Sequence, residues 1–169
     1  MSEGIDLEIT FQENLSRALT RAAEFGGDMT PAMKELAVYL ETEHRLRFET
    51  ETGPDGKRWK PSQRVIEHGG KTLTLHGDLS SSISSDYGRD FVAVGPERSF
   101  GSAVYAAIHQ FGGVIRAKAK KALSFGGRIF ASVRIPARPY VGFSGENQDR
   151  AAEILTGFLR NLFSSGAAA

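Results

Sequence analysis

The chain has 169 residues, the span of one ordinary domain, and its 40% apolar and 24% charged content is enough for a buried core. Its 21 Lys and Arg stand against 20 Asp and Glu, so the net charge of +1 calls for no polyanionic partner. No cysteine is present, which excludes disulfides, thiol catalysis and Cys-ligated metals and suits a reducing cytoplasm; no apolar run nears a membrane span, and the acidic opening MSEGIDLEIT does not read as an export signal.

The chain opens on strict alternation, Ile5, Leu7, Ile9 and Phe11 against Asp6, Glu8 and Thr10, which predicts a strand with one buried face. Leu15, Ala18, Leu19 and Ala22 follow at helical spacing, and Gly26-Gly27 offers a left-handed cap. Thr30-Pro31 restarts a helix, Thr30 as the cap and Pro31 at the first helical position. Met33, Leu36, Ala37, Leu40 and His44 or Phe48 make its inward stripe to about residue 50, and Glu41, Glu43, Glu49 and Glu51 give an acidic surface.

Gly53-Pro54-Asp55-Gly56 is strong turn chemistry, and a polar, mobile surface loop is expected from there past Trp59, Pro61 and Gly69-Gly70. Leu73, Leu75, Leu79 and Ile83 lie in a serine-rich stretch that reads as a helical turn leading into a strand. Phe91–Gly95 is a short β-rich run, and Ala103–Phe111 has helical spacing ending at Gly112-Gly113. From Val114 to Tyr140 the period returns to two. Ile115, Ala117 and Ala119 alternate with Arg116, Lys118 and Lys120; past Gly126-Gly127, Ile129, Ala131, Val133 and Ile135 alternate with Phe130, Ser132 and Arg134. A long β-hairpin follows from that pattern. A last helix over about Gln148–Phe163 carries Ile154, Leu155, Phe158, Leu159 and Leu162. The expected architecture is α+β: a single small domain over 1–163, helices packed on a mainly antiparallel sheet with a long hairpin, and a frayed tail at 164–169.

Tests for chemistry give little. Gly70-Lys71-Thr72 ends like a phosphate loop, but Val65 stands where its first glycine belongs. Gly142-Phe143-Ser144-Gly145 is one residue short of a nucleophile elbow. His44, His68, His76 and His109 form no metal-binding pair on a helix face, and Glu41/Glu43 and Glu49/Glu51 point to different helix faces. No catalytic residue, metal or cofactor is expected. Charge is segregated instead: residues 1–60 carry 8 basic and 12 acidic side chains, residues 61–169 carry 13 and 8. Ser99 to Gly145 has no acid at all, against Arg116, Lys118, Lys120, Lys121, Arg128, Arg134 and Arg138. This basic surface suits nucleic acid, a neighbouring subunit's acidic helix, or plain solvation; balanced net charge favours the second over the first.

Four ordered blocks resemble the phage virion morphogenesis family, which includes tail-completion and capsid-morphogenesis proteins of Mu-type and P2-type phages. Arg47-Phe48, then Pro54, Gly56 and Trp59, resemble its RF…P-x-G-x-x-W signature. Leu75, Gly77 and Leu79 through Ile83 resemble L-x-x-G-x-L-x-x-S-I. Tyr105, Ile108, His109, Gln110, Phe111, Gly112 and Gly113 resemble YA-x-IHQFGG, and Ile135, Pro136, Ala137, Arg138, Pro139 and Tyr140 resemble IPARPFLG. The resemblance implies a structural role without enzymatic activity or cofactor: a neck or tail-completion subunit at the head–tail junction of the virion, assembled in the host cytoplasm as a ring homo-oligomer. The implied partners are copies of itself and other phage neck, portal or tail proteins, with DNA in the ring lumen as a further candidate and no membrane. Alternatives are a transient capsid-assembly factor that binds head proteins and a DNA-binding module facing the packaged genome.

Plainer roles exist for the same residues. Pro136 and Pro139 suit a stiff strand exit, Gly112-Gly113 a helix end, and Trp59 either a loop anchor or a partner contact. The candidate subunit contacts are Arg138 first, then Arg134, Lys118, Lys120, Lys121 and Trp59, facing Glu41, Glu43 and Glu49 of the next copy.

Overall fold

The computed structural model describes residues 28–97, 103–117, 123–125 and 128–166. The strand and helix expected between 5 and 22 lie outside them, as do Lys118, Lys120, Lys121 and Gly126-Gly127. In chain order the described elements are α1 Thr30–Thr50, α2 Gln63–His68, α3 Asp78–Ser81, β1 Ile83–Tyr87, β2 Val92–Pro96, α4 Ala103–Phe111, β3 Gly113–Arg116, β4 Leu123–Phe125, β5 Arg128–Phe130, β6 Ser132–Ile135 and α5 Gly145–Gly166. The class is α+β, and among the described residues every pairing is antiparallel and the strands divide into two-stranded ribbons, β1–β2, β3–β6 and β4–β5.

Helix α1 is the spine. Its stripe at 3.6-residue spacing buries Ala32, Met33, Leu36, Ala37, Leu40, His44, Arg47 and Phe48. Pro31 lies in the first turn as its fixed φ predicts, but the cap position is Met29, and the Asp28 carboxylate before it takes the Thr30 N–H at 3.0 Å. Thr30 is already helical. The helix stops where Glu51 turns left-handed at φ 56° and sends its N–H back to Arg47 O. Leu36 and Leu40 pack on Ala151 and Ile154 of α5, and Met29, Ala32 and Met33 pack on Leu155. Val92 of the β1–β2 ribbon closes over both groups, and Val94 over the first. Helix α5 begins at Gly145, three residues before the expected start at Gln148, because Ser144 and Asn147 cap it reciprocally: Asn147 N–H donates to Ser144 Oγ and Ser144 N–H to Asn147 Oδ1, each at 3.1 Å. It continues through Gly166, so the expected tail at 164 starts inside the helix.

The polar stretch after Gly53 is more ordered than a plain loop. Thr52 bridges Arg58, Trp59 is buried, and α2 forms where Ser62 Oγ accepts the Val65 N–H at 3.3 Å. The expected hairpin is present, in two ladders: Gly113–Arg116 against Ser132–Ile135, and Leu123–Phe125 against Arg128–Phe130. The two ladders are separated at Ala131, whose carbonyl accepts the Ala117 N–H at 3.4 Å. Among the described residues these strands pack chiefly on one another, so the hairpin stands off the described body as an arm. At its base Gly112 has φ 73°, and a Cβ there would come 2.7 Å from Ala137 N. Only glycine lets the exit of β6 pass so close to the end of α4.

Candidate functional site

The four sequence blocks meet in one place. Phe48 from α1, Trp59 from the loop, Leu79 and Ile83 from the serine-rich stretch, Ala106 from α4 and Tyr140 and Val141 after β6 form a single buried cluster with Leu73. Phe48 lies at its centre, edge-on to Trp59 at 5.5 Å and tilted against Tyr140 at 5.4 Å between ring centroids.

Around that cluster the polar members of the blocks bind backbone. The segment from Pro136 to Ser144 has no strand partner, so its N–H and C=O groups need other partners. Side chains supply them. Gln110 Oε1 accepts the N–H groups of Tyr140 and Val141 at 3.0 and 3.1 Å, and its Nε2 donates to Val141 O at 2.7 Å. In effect one buried amide replaces a rung of β-ladder. Trp59 Nε1 donates to Pro139 O at 2.9 Å, and Tyr140 Oη donates to Ala106 O at 3.0 Å. Arg47 donates to Tyr140 O at 3.1 Å and to Asn147 Oδ1 at 2.8 Å. Gly142 N–H donates to His44 Nε2 at 3.2 Å; Nδ1 therefore carries the proton, toward Leu40 O at 2.5 Å.

Arg138 is the largest departure from expectation. The residue expected at a subunit contact is 4% exposed, and its guanidinium donates to Lys60 O at 2.7 Å and Pro61 O at 3.4 Å. Its backbone N–H donates to His109 O at 2.7 Å. Arg138 thus clamps the loop after Trp59 to the end of α4, inside the subunit. Trp59 is likewise an internal anchor.

Burial sets the electrostatics here. It pushes the Arg47 and Arg138 guanidinium pKa values down and those of the Tyr105 and Tyr140 hydroxyls up. His44 falls to about 4, through burial and then the charge of Arg47. His109 also falls to about 4, through burial and then Arg138; its ring stacks edge-on against Tyr105 at 4.4 Å, and its Nδ1 has no hydrogen-bond partner among the described residues. Both histidines are neutral at pH 7.

The remaining candidates lie apart from this cluster. Glu41 accepts Ser85 Oγ at 2.7 Å and pairs with Arg45 at 2.9 Å, Glu49 pairs with Lys71, and Glu51 accepts the Thr72 N–H at 2.6 Å. Much of the acidic helix surface is therefore used within the subunit, while Glu43 makes no ion pair with a described residue. Arg134 is exposed on the arm, and Phe111 and Tyr105 are exposed on α4. Pro54 and Gly56 belong to the turn closed by the Thr52–Arg58 bridge, Gly77 precedes α3, and Gly113 starts β3. Among the described residues no three His, Asp or Glu converge as a metal site, and no described helix is long and apolar enough to cross a membrane. Sequence reasoning missed Asn147, whose signal was its place three residues after Ser144 ahead of an apolar run, and the role of Gln110, which had none.

The signature residues thus tie the loops of the α+β body to one another, and the two-stranded arm lies outside the described core. The chain belongs to the phage virion morphogenesis family, whose model matches residues 11–160. It is similar to protein G of Escherichia phage Mu, described as a candidate capsid assembly protein: 36% identical over 129 residues, covering 70% of this chain and 71% of that protein. The Mu-like prophage FluMu G protein 2 of Haemophilus influenzae is 32% identical over 151 residues, covering 89% of this chain and 91% of the relative. No solved structure gives a significant match.

Proposed function

We propose that the chain is a structural subunit of the tailed-phage particle, which completes the head–tail junction as a neck or tail-completion piece within a cyclic homo-oligomer. The family supports the assembly role, and the uncovered arm carries the finer reading. A domain that binds its buried polar groups internally yet leaves a basic, partly apolar ribbon outside its core has kept that ribbon for another surface. No step of this role needs a catalytic side chain.

A second reading starts from the phage Mu relative, described as a capsid assembly protein: this chain would then act on capsid assembly and leave before the particle is finished. The two differ in where the protein ends up. Quantitative mass spectrometry of purified particles tests this, with the tail proteins as internal standard. A fixed small copy number per particle is the expected result; absence from finished particles that needed the protein for assembly refutes the junction reading in favour of the transient one.

A further inference from the structure

Paired residues of an antiparallel ladder share a face. On β3–β6, Ile115 and Val133 lie on one face with Ile135, while Arg116 and Arg134 lie on the other with Val114. At its base this face meets α4, where a Cβ on Gly113 would come 3.3 Å from Ile108 Cγ1. Farther out Ile115 is 39% exposed, and Ile129 of β5 is 76% exposed. Arg116 and Arg134 make no ion pair or side-chain hydrogen bond with a described residue. A two-stranded ribbon cannot cover its own apolar face and is marginal alone in water. From Arg128 to Ile135 it has a reach of up to about 26 Å at ~3.3 Å per residue.

The body offers a complementary surface. A groove of about 450 Å³ runs between the second half of α1, the 52–56 turn and the start of α5. Glu43 and Glu146 line it, with Asp55, which is paired with Lys57 at 3.1 Å, and Leu46, 48% exposed, gives it an apolar wall. Arg47 also lines it, but it is 7% exposed and its guanidinium faces inward, donating to Tyr140 O and Asn147 Oδ1. The groove therefore presents carboxylates and an aliphatic side chain, against an arm that presents guanidinium groups and aliphatic side chains.

We propose that the arm of one copy seats in this groove of the next, with Arg116 and Arg134 against Glu43 and Glu146 and the exposed isoleucines against Leu46. The inference rests on the cyclic-assembly reading and names its contact. Arm and groove are different surfaces, so the interface is heterologous and repeats around a ring until it closes. Charge sets partner and register, and the aliphatic contact supplies the binding.

The absence of native cysteine makes the test clean. In the full-length chain, Ile129→Cys combined with Leu46→Cys, and separately Ile115→Cys combined with Thr50→Cys to cover a shift of register, are oxidised beside the single-cysteine chains. A ladder of covalent multimers is expected from a double variant, with dimers at most from the single ones. Arg116→Glu with Arg134→Glu should weaken self-association at least tenfold by sedimentation, and Glu43→Lys with Glu146→Lys should restore part of it. Self-association that persists without any ladder refutes the arm–groove pairing and leaves the ring reading standing. A covalent bond confined to the monomer refutes it too, because the arm then folds onto its own body. A chain that stays monomeric both in solution and in particles overturns the ring reading itself. Tight duplex-DNA binding that Arg116→Glu abolishes assigns the arm to nucleic acid instead.

Discussion

Acid should loosen this fold through His44, and the size of the effect can be worked out. The ring is 1% exposed, accepts the Gly142 N–H and donates to Leu40 O, with the Arg47 charge nearby. A second proton would have to sit on Nε2, which would break the bond to Gly142 and bury a cation beside another. The folded pKa is accordingly about 4, against 6.5 for the free side chain. Between those values the unfolded chain binds a proton that the folded chain refuses, so stability falls as pH drops. The loss begins near pH 6.5 and is complete below about pH 4. At about 1.36 kcal/mol per pKa unit the full effect is roughly 3.4 kcal/mol, with about 1.4 kcal/mol already lost at pH 5.5.

The assay is urea unfolding at pH 7.5, 6.5, 5.5 and 4.5, followed by the fluorescence of Trp59, the sole tryptophan, and by circular dichroism. His44→Gln keeps a donor and an acceptor without the titration. It should cost some stability at pH 7.5 and flatten the slope between pH 6.5 and 5.5 by about 1 kcal/mol. His109, also near 4, titrates in the same window, so His109→Gln is measured alongside and the double variant should be flattest. A folded His44→Gln chain with the parent's pH slope refutes the reasoning.

Gln110→Ala removes three buried bonds to Tyr140 and Val141 and leaves their backbone groups unpaired, at a cost of roughly 2–4 kcal/mol read from the urea midpoint. Arg138→Ala removes a charged donor from Lys60 O and Pro61 O and should cost about 1.5–3 kcal/mol, while the covalent ladder of the cysteine variants persists wherever the chain remains folded.

How much of this was legible in the sequence depends on which period each element carries. Helix α1 showed itself through a long 3.6-residue stripe and Pro31, and the hairpin through alternation on both strands. Helix α2 has no buried residue, so it had no stripe to read; a Ser62 cap and the Gln63–Glu67 pair support it locally. The start of α5 was misplaced because its reciprocal cap uses Asn147, not Glu or Gln. At the site, the order of the blocks was readable but their convergence was not. Arg138 between two prolines reads as exposed because charged groups are rarely buried without partners. Here the partners are two carbonyls from residues nearly eighty positions away. Nothing in local sequence encodes such a bond.

That same distribution of bonds bears on assembly. The segment between Ile135 and Gly145 has no ladder partner, yet Gln110, Arg47, Trp59, His44 and the Arg138 backbone fix it to α1, α4 and the loop at once. Its first end is the base of the arm; its last end is the wall of the groove at Ser144–Glu146. Few residues separate the two, and each is held from a different side, so on the arm–groove contact proposed above the core would set the angle between them. A heterologous contact closes into a ring only if every subunit repeats one rotation, and a loose hinge between the two surfaces would give open chains of mixed curvature instead. The signature residues of the family, though buried, would therefore act on assembly by holding that rotation constant.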